Sequence, residues 1–162
     1  MQPWSALLVN RPNPKILQTL SPVRARLWSL KLRAGLAAGE TVLVNGATGV
    51  AGLPAVQAAR YLGARKVIAI GRNMEVLTEL GADAVVRLTD DDSEVSTAFA
   101  AAAQEGIDVI IDYLCGHPTE LLLGALAKAF RPEGANRVRV GEVGESAGKA
   151  ILLSGGCCVA ST

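Results

Sequence analysis

The sequence predicts an α/β fold, namely a doubly wound parallel sheet of the Rossmann type with helices on both faces. Three observations support this prediction: an apolar strand pattern enters a glycine-rich turn without a spacer, an amphipathic helix follows, and strand and helix patterns then alternate along the chain. Parallel strands joined by helical crossovers wind right-handedly, so we expect the strand order 3-2-1-4-5-6. The glycine turn would then lie where the strand order reverses.

Residues 1–38 are expected to form an irregular arm and one helix ahead of the sheet. The beginning of this segment contains three prolines and shows little periodicity. Ser21 and Pro22 are typical of a helix start and Gly35 of a helix end, which places one helix between them. Residues 39–162 then form the predicted nucleotide-binding domain.

The first half of the sheet begins at Thr41–Asn45, which is β-branched or apolar on both faces, as expected of a strand that is covered on both sides. After the glycine turn, apolar residues recur at helical spacing through residues 50–62, and Gly63 ends this helix. The rest of this half comprises a strand at 66–70, a helix at 75–80 and a strand at 84–88.

The second half follows an acidic run at Asp90–Asp92, which favours the N-terminus of a helix over residues 94–104. We favour a solvated helix start here over a metal site. Arg137–Val140 alternates polar and apolar residues, which predicts a strand that has one exposed face or lies near a sheet edge. The remaining elements are a strand at 107–112, a helix at 119–130 and a candidate sixth strand at 151–153.

Three glycines in the turn, Gly46, Gly49 and Gly52, are spaced three residues apart. A tight turn, a close approach to a pyrophosphate and a helix pressed onto the sheet would each exclude a Cβ. Phosphate would then lie at the N-terminus of the following helix, whose unpaired N–H groups favour anions. The spacing differs from G-x-G-x-x-G, so an ordinary turn is the alternative, but the setting between strand and helix favours nucleotide binding.

The end of the second strand indicates which dinucleotide is bound. Dinucleotide-binding folds commonly carry an acid there, which binds the ribose hydroxyls, whereas this chain has Gly71, Arg72 and Asn73. A glycine leaves room for a 2′-phosphate, and an arginine can bind it through charge-assisted hydrogen bonds. The pattern therefore favours NADP(H) over NAD(H). The alternative is that Arg72 is a solvated residue at the start of the next helix.

Residues 39–156 also resemble the cofactor domain of the medium-chain dehydrogenase/reductase superfamily, in particular its zinc-independent, quinone-oxidoreductase-like branch. The resemblance lies in GETVLVNGATGVAG at 39–52, AVQAARYLGA at 55–64, LGAD at 80–83 and DVIIDYL at 108–114. It implies NADPH-dependent hydride transfer to a quinone, an enone, or another activated alkene or carbonyl compound.

The resemblance further implies that loops around Asp112, Tyr113 and Gly141 line the nicotinamide half of the site. Asp112 could equally cap the next segment, and Tyr113 could equally pack in the core. No catalytic or metal-binding residue is predicted. The predicted cofactor-binding residues are Asn45, Gly46, Thr48, Gly49, Val50, Ala51, Gly52, Gly71, Arg72, Asn73, Asp112, Tyr113 and Gly141.

Several other chemistries lack the residues they require. His117 is the only histidine, lies in what we expect to be a loop, and has no partner residues at zinc-ligand spacing. The stretch from Gly144 to Lys149 is one residue too short between its glycines for a P-loop, so ATP is not predicted. A short-chain dehydrogenase would need a Tyr-x-x-x-Lys pair, which neither Tyr61 nor Tyr113 begins.

The composition of the chain indicates which classes of binding partner and which cellular location to expect. Lysine and arginine number 16 against 15 acids, and the two charges are interspersed, so we expect neither nucleic-acid nor anionic-membrane binding. No apolar run approaches the roughly 20 residues of a spanning helix, and no charged signal region opens the chain, which predicts a cytoplasmic protein. Three cysteines without C-x-x-C spacing are expected to be reduced, buried thiols.

The resemblance covers only the cofactor domain, because the catalytic domain that the family places before it has no counterpart among the 162 residues. We therefore expect the chain alone to transfer hydride slowly or not at all. A non-catalytic dinucleotide-binding or sensing module is the alternative function. The apolar C-terminal segment is expected to form a sheet edge that pairs two copies into a homodimer.

Overall fold

The computed structural model describes residues 34–129, 137–148 and 150–151. The predicted N-terminal arm lies outside the described residues, as does nearly all of the helix that follows it. Most of the candidate sixth strand, two of the three cysteines and the expected homodimer edge also lie outside them. Those expectations stay predictions.

Nine elements alternate between strand and helix in the described part of the chain. Their order confirms the predicted α/β class, and most boundaries lie within two residues of those expected from the sequence. The elements are β1 (Thr41–Asn45), α1 (Gly52–Tyr61), β2 (Lys66–Gly71), α2 (Met74–Glu79), β3 (Ala84–Arg87), α3 (Asp92–Gln104), β4 (Val109–Asp112), α4 (His117–Ala129) and β5 (Arg139–Glu142).

The five strands form one parallel sheet in the order β3-β2-β1-β4-β5, which confirms the predicted order as far as the fifth strand. Thr41 lies opposite Lys66 of β2, and Val42 opposite Val109 of β4, so β1 has a neighbour on both sides. The chain leaves β1 toward one side of the sheet and returns to it at β4. The carboxyl ends of β1 and β4 therefore border the crevice in which such sheets bind ligands.

Both faces of the sheet are covered, which explains why β1 is apolar at successive positions. Val42 and Val44 face one core cluster together with α1 and α2, whereas Leu43 faces a second cluster together with α3 and α4. Phe99 of α3 is fully buried in this second cluster. Each face thus carries two helices of the described part of the chain, as expected of a doubly wound sheet.

Two helix starts are fixed by side-chain caps. The Asp91 carboxylate accepts hydrogen bonds from the backbone N–H groups of Ser93 and Glu94, so the acidic run caps α3 as expected. The Asn73 side chain accepts from the N–H groups of Glu75 and Val76 and caps α2 in the same way. Each cap satisfies two donors that the helix itself leaves unpaired.

Two sequence-based boundaries were wrong near the site. The fifth strand lies at Arg139–Glu142 rather than 137–140, because it pairs with β4 from Arg139 onward and the Arg139 guanidinium holds the strand to Gly35 O and the Glu40 carboxylate. The hydrogen bond from Arg139 lowers the pKa of Glu40. Gly141 consequently lies inside β5 rather than in the loop beyond it, and His117 begins α4 rather than lying in a loop.

Replacing Phe99 with alanine should destabilise the domain by about 3–5 kcal/mol, because the fully buried ring leaves a cavity between α3 and the sheet. Tyr61→Ala is the control, since the Tyr61 side chain is largely exposed and its loss should cost less than about 1 kcal/mol. Urea unfolding measures both. Similar losses for the two variants would contradict the described packing.

Candidate cofactor-binding site

The glycine turn leaves the carboxyl end of β1 and is tied to β2. The N–H groups of Gly46 and Ala47 donate to Ile70 O at 3.0 Å and 2.7 Å. Gly46 has φ +84°, a conformation that residues with a Cβ rarely adopt. The turn therefore sits beside the end of β2, where a dinucleotide's adenosine ribose would lie.

The second and third glycines of the turn differ in what surrounds them. A Cβ on Gly52 would lie 2.1 Å from Gly46 O, so this residue must be glycine for α1 to pack against the turn. The nearest atom to a Cβ on Gly49 would be Gly46 O at 3.4 Å, and Gly49 is exposed. The protein itself therefore tolerates a side chain at position 49, where the backbone N–H donates to Gly46 O and the carbonyl accepts from Leu53 N.

The N-terminus of α1 lacks the caps found on α2 and α3. Ala51 occupies the N-cap position without a side-chain hydrogen bond, and the first turn contains no acid. Among the described residues, the backbone N–H groups of Val50, Ala51 and Gly52 donate to no protein acceptor. These groups, together with the helix dipole, suit an anion.

The end of β2 combines a buried glycine with an exposed arginine. Gly71 is buried beneath Thr48, whose side-chain atoms lie where a Cβ on Gly71 would be. Arg72 is exposed, whereas Asn73 has its side-chain oxygen committed to the α2 cap. The structure thus leaves Arg72 available to a ligand and occupies the Asn73 oxygen.

Arg87 is a candidate that the sequence analysis missed. It lies opposite Gly71 in the parallel pairing of β2 with β3, and it is exposed. Val86 packs toward α3, so the alternation of side chains places Arg87 on the other face, which is the α1 face. The sequence did contain a signal for this position. If the predicted second and third strands are aligned as parallel neighbours, Arg87 falls beside Gly71.

A buried polar network lies at the carboxyl ends of β1 and β4. The Asp112 carboxylate is fully buried and accepts from Asn45 Nδ2 at 2.9 Å, Leu114 N at 2.9 Å, Cys115 N at 3.4 Å and Thr119 Oγ1 at 2.6 Å. Asn45 Nδ2 also donates to Thr119 Oγ1 at 3.4 Å. One carboxylate thereby joins two strands, a loop and the first turn of α4.

Two of the predicted cofactor-binding side chains belong to this buried network. Asn45 and Asp112 are both fully buried and bonded to each other, so they support the crevice from within. Asn45 Oδ1 is buried and has no hydrogen-bond partner among the described residues. The neighbouring carboxylate fixes this orientation, because a flipped amide would place its oxygen against Asp112 Oδ1. The Asp112 side chain accepts from the N–H groups of Leu114 and Cys115 in the β4 loop, and its role toward a cofactor stays a prediction.

The loops after β4 and β5 are held together by backbone hydrogen bonds. Val143 N donates to Asp112 O at 2.8 Å and Ala147 N to Leu114 O at 2.6 Å. Tyr113 between them is buried and packs in the α1-side core, which matches its alternative assignment to the core. Beyond β5, residues 142–145 line an open depression of about 500 Å³ at this edge of the sheet.

Cys115 lies in the loop after β4 with φ +58°, a strained conformation for a residue with a Cβ. Burial of the thiol and its hydrogen bond with the Glu142 carboxylate raise the pKa of Cys115. The thiol is therefore protonated at neutral pH and is a poor nucleophile.

His117 connects the N-termini of α3 and α4. Its Nε2 lies 2.8 Å from Asp92 Oδ2, and its Nδ1 lies 3.5 Å from Glu120 Oε2. The hydrogen bond with Asp92, helped by Glu120, raises the pKa of His117 above its ordinary value of 6.5. The imidazole is more than half exposed and serves as an ion-pair partner between the two helices.

Other features of the described residues give no competing site. No group of three or more histidine, cysteine or acidic side chains in residues 34–129, 137–148 and 150–151 could hold a metal ion. A second depression, of about 490 Å³, lies near the amino ends of the strands, where Lys66 and Glu105 already form an ion pair. No helix within the described ranges is long and apolar enough to cross a membrane.

The amino-acid sequence is similar to those of known dehydrogenases, reductases and polyketide synthases. A family described as zinc-binding dehydrogenase has a model that matches residues 50–131. A probable NADPH-dependent quinone reductase of Emericella nidulans is 36% identical over 110 residues, which cover 65% of this chain and 31% of that protein. The squalestatin hexaketide synthase of Phoma sp. is 34% identical over 119 residues, which cover 71% of this chain and 4% of that protein.

Solved structures agree on the fold. A mycobacterial protein complexed with NADPH superposes with a TM-score of 0.65 at 24% identity, and the match covers 83% of this chain and 40% of that one. At this level of identity the likeness shows the fold. The chain spans less than a third of the length of either curated relative.

Thr119→Val should lower the free energy of unfolding by about 1–3 kcal/mol, because the isosteric change leaves a buried Asp112 oxygen without its 2.6 Å donor. Thr119→Ser keeps a hydroxyl at this position and should retain most of that stability. Urea unfolding compares the two variants. A larger loss in Thr119→Ser than in Thr119→Val would show that the methyl group, rather than the hydrogen bond, stabilises this region.

His117 should make stability depend on pH from its ordinary pKa of 6.5 up to its raised pKa in the folded state. Because its pKa is raised in the folded state, its contribution is present in full below the unfolded pKa and is lost as pH rises through the folded pKa. The pair is exposed, so the melting temperature should fall by only about 1–3 °C over this range.

His117→Gln and Asp92→Asn should both flatten this pH dependence, measured by thermal unfolding in buffers of equal ionic strength. His117 is the only histidine in the chain, so no other side chain of ordinary pKa titrates there. An unchanged slope in His117→Gln would contradict the assignment.

Proposed function

Because the chain belongs to the zinc-binding dehydrogenase family, we propose that its sheet domain binds NADP(H) for hydride transfer to a quinone, an enone or a related activated alkene or carbonyl compound. The observation that carries this proposal is the junction of the glycine turn with α1. There, three backbone N–H groups have no acceptor in the described part of the chain, and Gly49 is exposed. The junction lies at the topological switch point of the sheet.

The pyrophosphate of the dinucleotide suits this junction. A phosphate accepts hydrogen bonds from several N–H groups at once and gains from the positive end of the helix dipole. Gly52 brings α1 close to the turn, and the exposed Gly49 lets a phosphate oxygen approach the backbone. The unpaired N–H groups and the small residues of the junction thus support its assignment to the pyrophosphate.

The adenosine end fits NADP(H) better than NAD(H). A glycine at position 71 offers no carboxylate to repel a 2′-phosphate, and Arg72 is exposed at the same edge. Arg87 on the neighbouring strand adds a second guanidinium opposite Gly71. Two guanidinium groups at this edge of the sheet, with no carboxylate beside them at position 71, suit a phosphate dianion.

The chain's role in the reaction is to bind and orient the cofactor. When bound, NADPH supplies a hydride to the acceptor. None of the described residues is proposed as a catalytic acid, since the Cys115 thiol is buried and His117 is paired with Asp92 on the surface. The acceptor class rests on the quinone reductase that shares 36% identity over the aligned residues.

Isothermal titration calorimetry of the 162-residue chain should show that NADPH binds about tenfold or more tightly than NADH. Arg72→Ala should lose most of this preference, because the preference depends on charge-assisted hydrogen bonds to the 2′-phosphate. Raising the salt concentration should weaken NADPH binding more than NADH binding.

Lys128→Ala is the matched control, because it removes one exposed positive charge at the far end of α4, away from the site. This variant should keep the wild-type preference. Equal affinities of the wild-type chain for the two cofactors would refute the proposed NADP(H) specificity, and no binding of either would refute the proposed function.

A further inference from the structure

Thr48 fills the volume that a side chain at position 71 would need. A Cβ on Gly71 would lie 2.6 Å from Thr48 Cγ2, 2.8 Å from Thr48 Oγ1 and 3.2 Å from Thr48 Cβ, and these are its three nearest neighbours. Contacts under 3.0 Å essentially never occur at real Cβ atoms. Gly71 does not have a positive φ, so Thr48, and not the backbone conformation, excludes a side chain there.

The branching of Thr48 makes this exclusion robust. Threonine has two heavy atoms on its Cβ, and both now point toward position 71. Rotation about χ1 moves these atoms among three staggered positions, of which only one can point away. At least one heavy atom therefore faces Gly71 in every rotamer. Serine has a single γ atom and could rotate it away, whereas valine is branched like threonine.

The residue at position 71 lies where dinucleotide-binding sheets distinguish NAD(H) from NADP(H). It ends β2 on the α1 face, next to the turn, where dinucleotide-binding sheets carry the acid that binds the ribose 2′-hydroxyl. Thr48 belongs to the turn and Gly71 to the strand, so the contact joins the phosphate half of the site to the ribose half. A substitution of either residue therefore affects both the phosphate half and the ribose half of the site.

We propose that Thr48 is a specificity-determining residue, whose branched side chain keeps position 71 a glycine and thereby excludes the acid that would select NAD(H). This inference rests on the proposed function, since it explains how that site would be held to NADP(H). It implies that Gly71→Asp alone cannot create an NADH site. The carboxylate needs space that only a smaller, unbranched residue at position 48 provides.

The steric part is tested without any cofactor, by thermal unfolding of Gly71→Ala in three backgrounds: wild type, Thr48→Ser and Thr48→Val. Overpacking by one methyl group should lower the melting temperature by about 4–10 °C in the wild-type and Thr48→Val backgrounds. The loss should fall to less than half of this in Thr48→Ser. Equal losses in the three backgrounds would show that Thr48 does not exclude the side chain.

The specificity part is tested by calorimetry with NADPH and NADH on Gly71→Asp in the same backgrounds. In Thr48→Ser, adding Gly71→Asp should shift the ratio of the two dissociation constants toward NADH by about tenfold or more. In the wild-type and Thr48→Val backgrounds, Gly71→Asp should weaken binding of both cofactors without that shift. Thr48→Ser keeps the hydroxyl, so loss of a Thr48 hydrogen bond cannot mimic the result.

A shift toward NADH in the single variant Gly71→Asp would overturn the role of Thr48. If the wild-type chain binds neither cofactor, the proposed function is overturned and, with it, the role of Thr48 in cofactor specificity. The unfolding comparison would then still decide whether Thr48 occupies the space beside Gly71. The two failures are thus distinguishable.

Discussion

The buried carboxylate of Asp112 is the constraint on which the crevice depends. A charge taken out of water is tolerated only when it is fully hydrogen-bonded, and this one accepts from four donors in β1, the β4 loop and α4. Each donor is consequently fixed in position. The network sets where the β4 loop begins, and Gly46 packs against Leu114 of that loop.

Above this network, the surface offered to a ligand is made largely of backbone. The polar side chains of Asn45, Asp112 and Asn73 are committed to protein partners, while the N–H groups of Val50, Ala51 and Gly52 have no acceptor among the described residues. Such a surface is rigid, because it has few rotamers to freeze when a ligand binds. Flexible side chains enter mainly as Arg72 and Arg87 at the rim.

Local patterns predicted most of the fold. Apolar residues on both faces of Thr41–Asn45 indicated a covered parallel strand, and the glycines indicated the turn and the start of α1. Both features depend on neighbours in sequence. The fifth strand was shifted because alternation fixes a period but not an end point, which the pairing with β4 sets. Local patterns could not predict three features, because each depends on a partner distant in sequence. These are the position of Arg87 beside Gly71, the inward direction of Asn45 and the contact of Thr48 with Gly71.

The loops after β4 and β5 touch through glycines as well as through hydrogen bonds. A Cβ on Gly144 would lie 2.6 Å from Tyr113 O, and one on Gly148 would lie 2.9 Å from Gly116 Cα. No side chain separates the two backbones at these points, so the loops are mechanically coupled. With the hydrogen bonds from Val143 N to Asp112 O and from Ala147 N to Leu114 O, the two loops form one continuous wall beside the crevice.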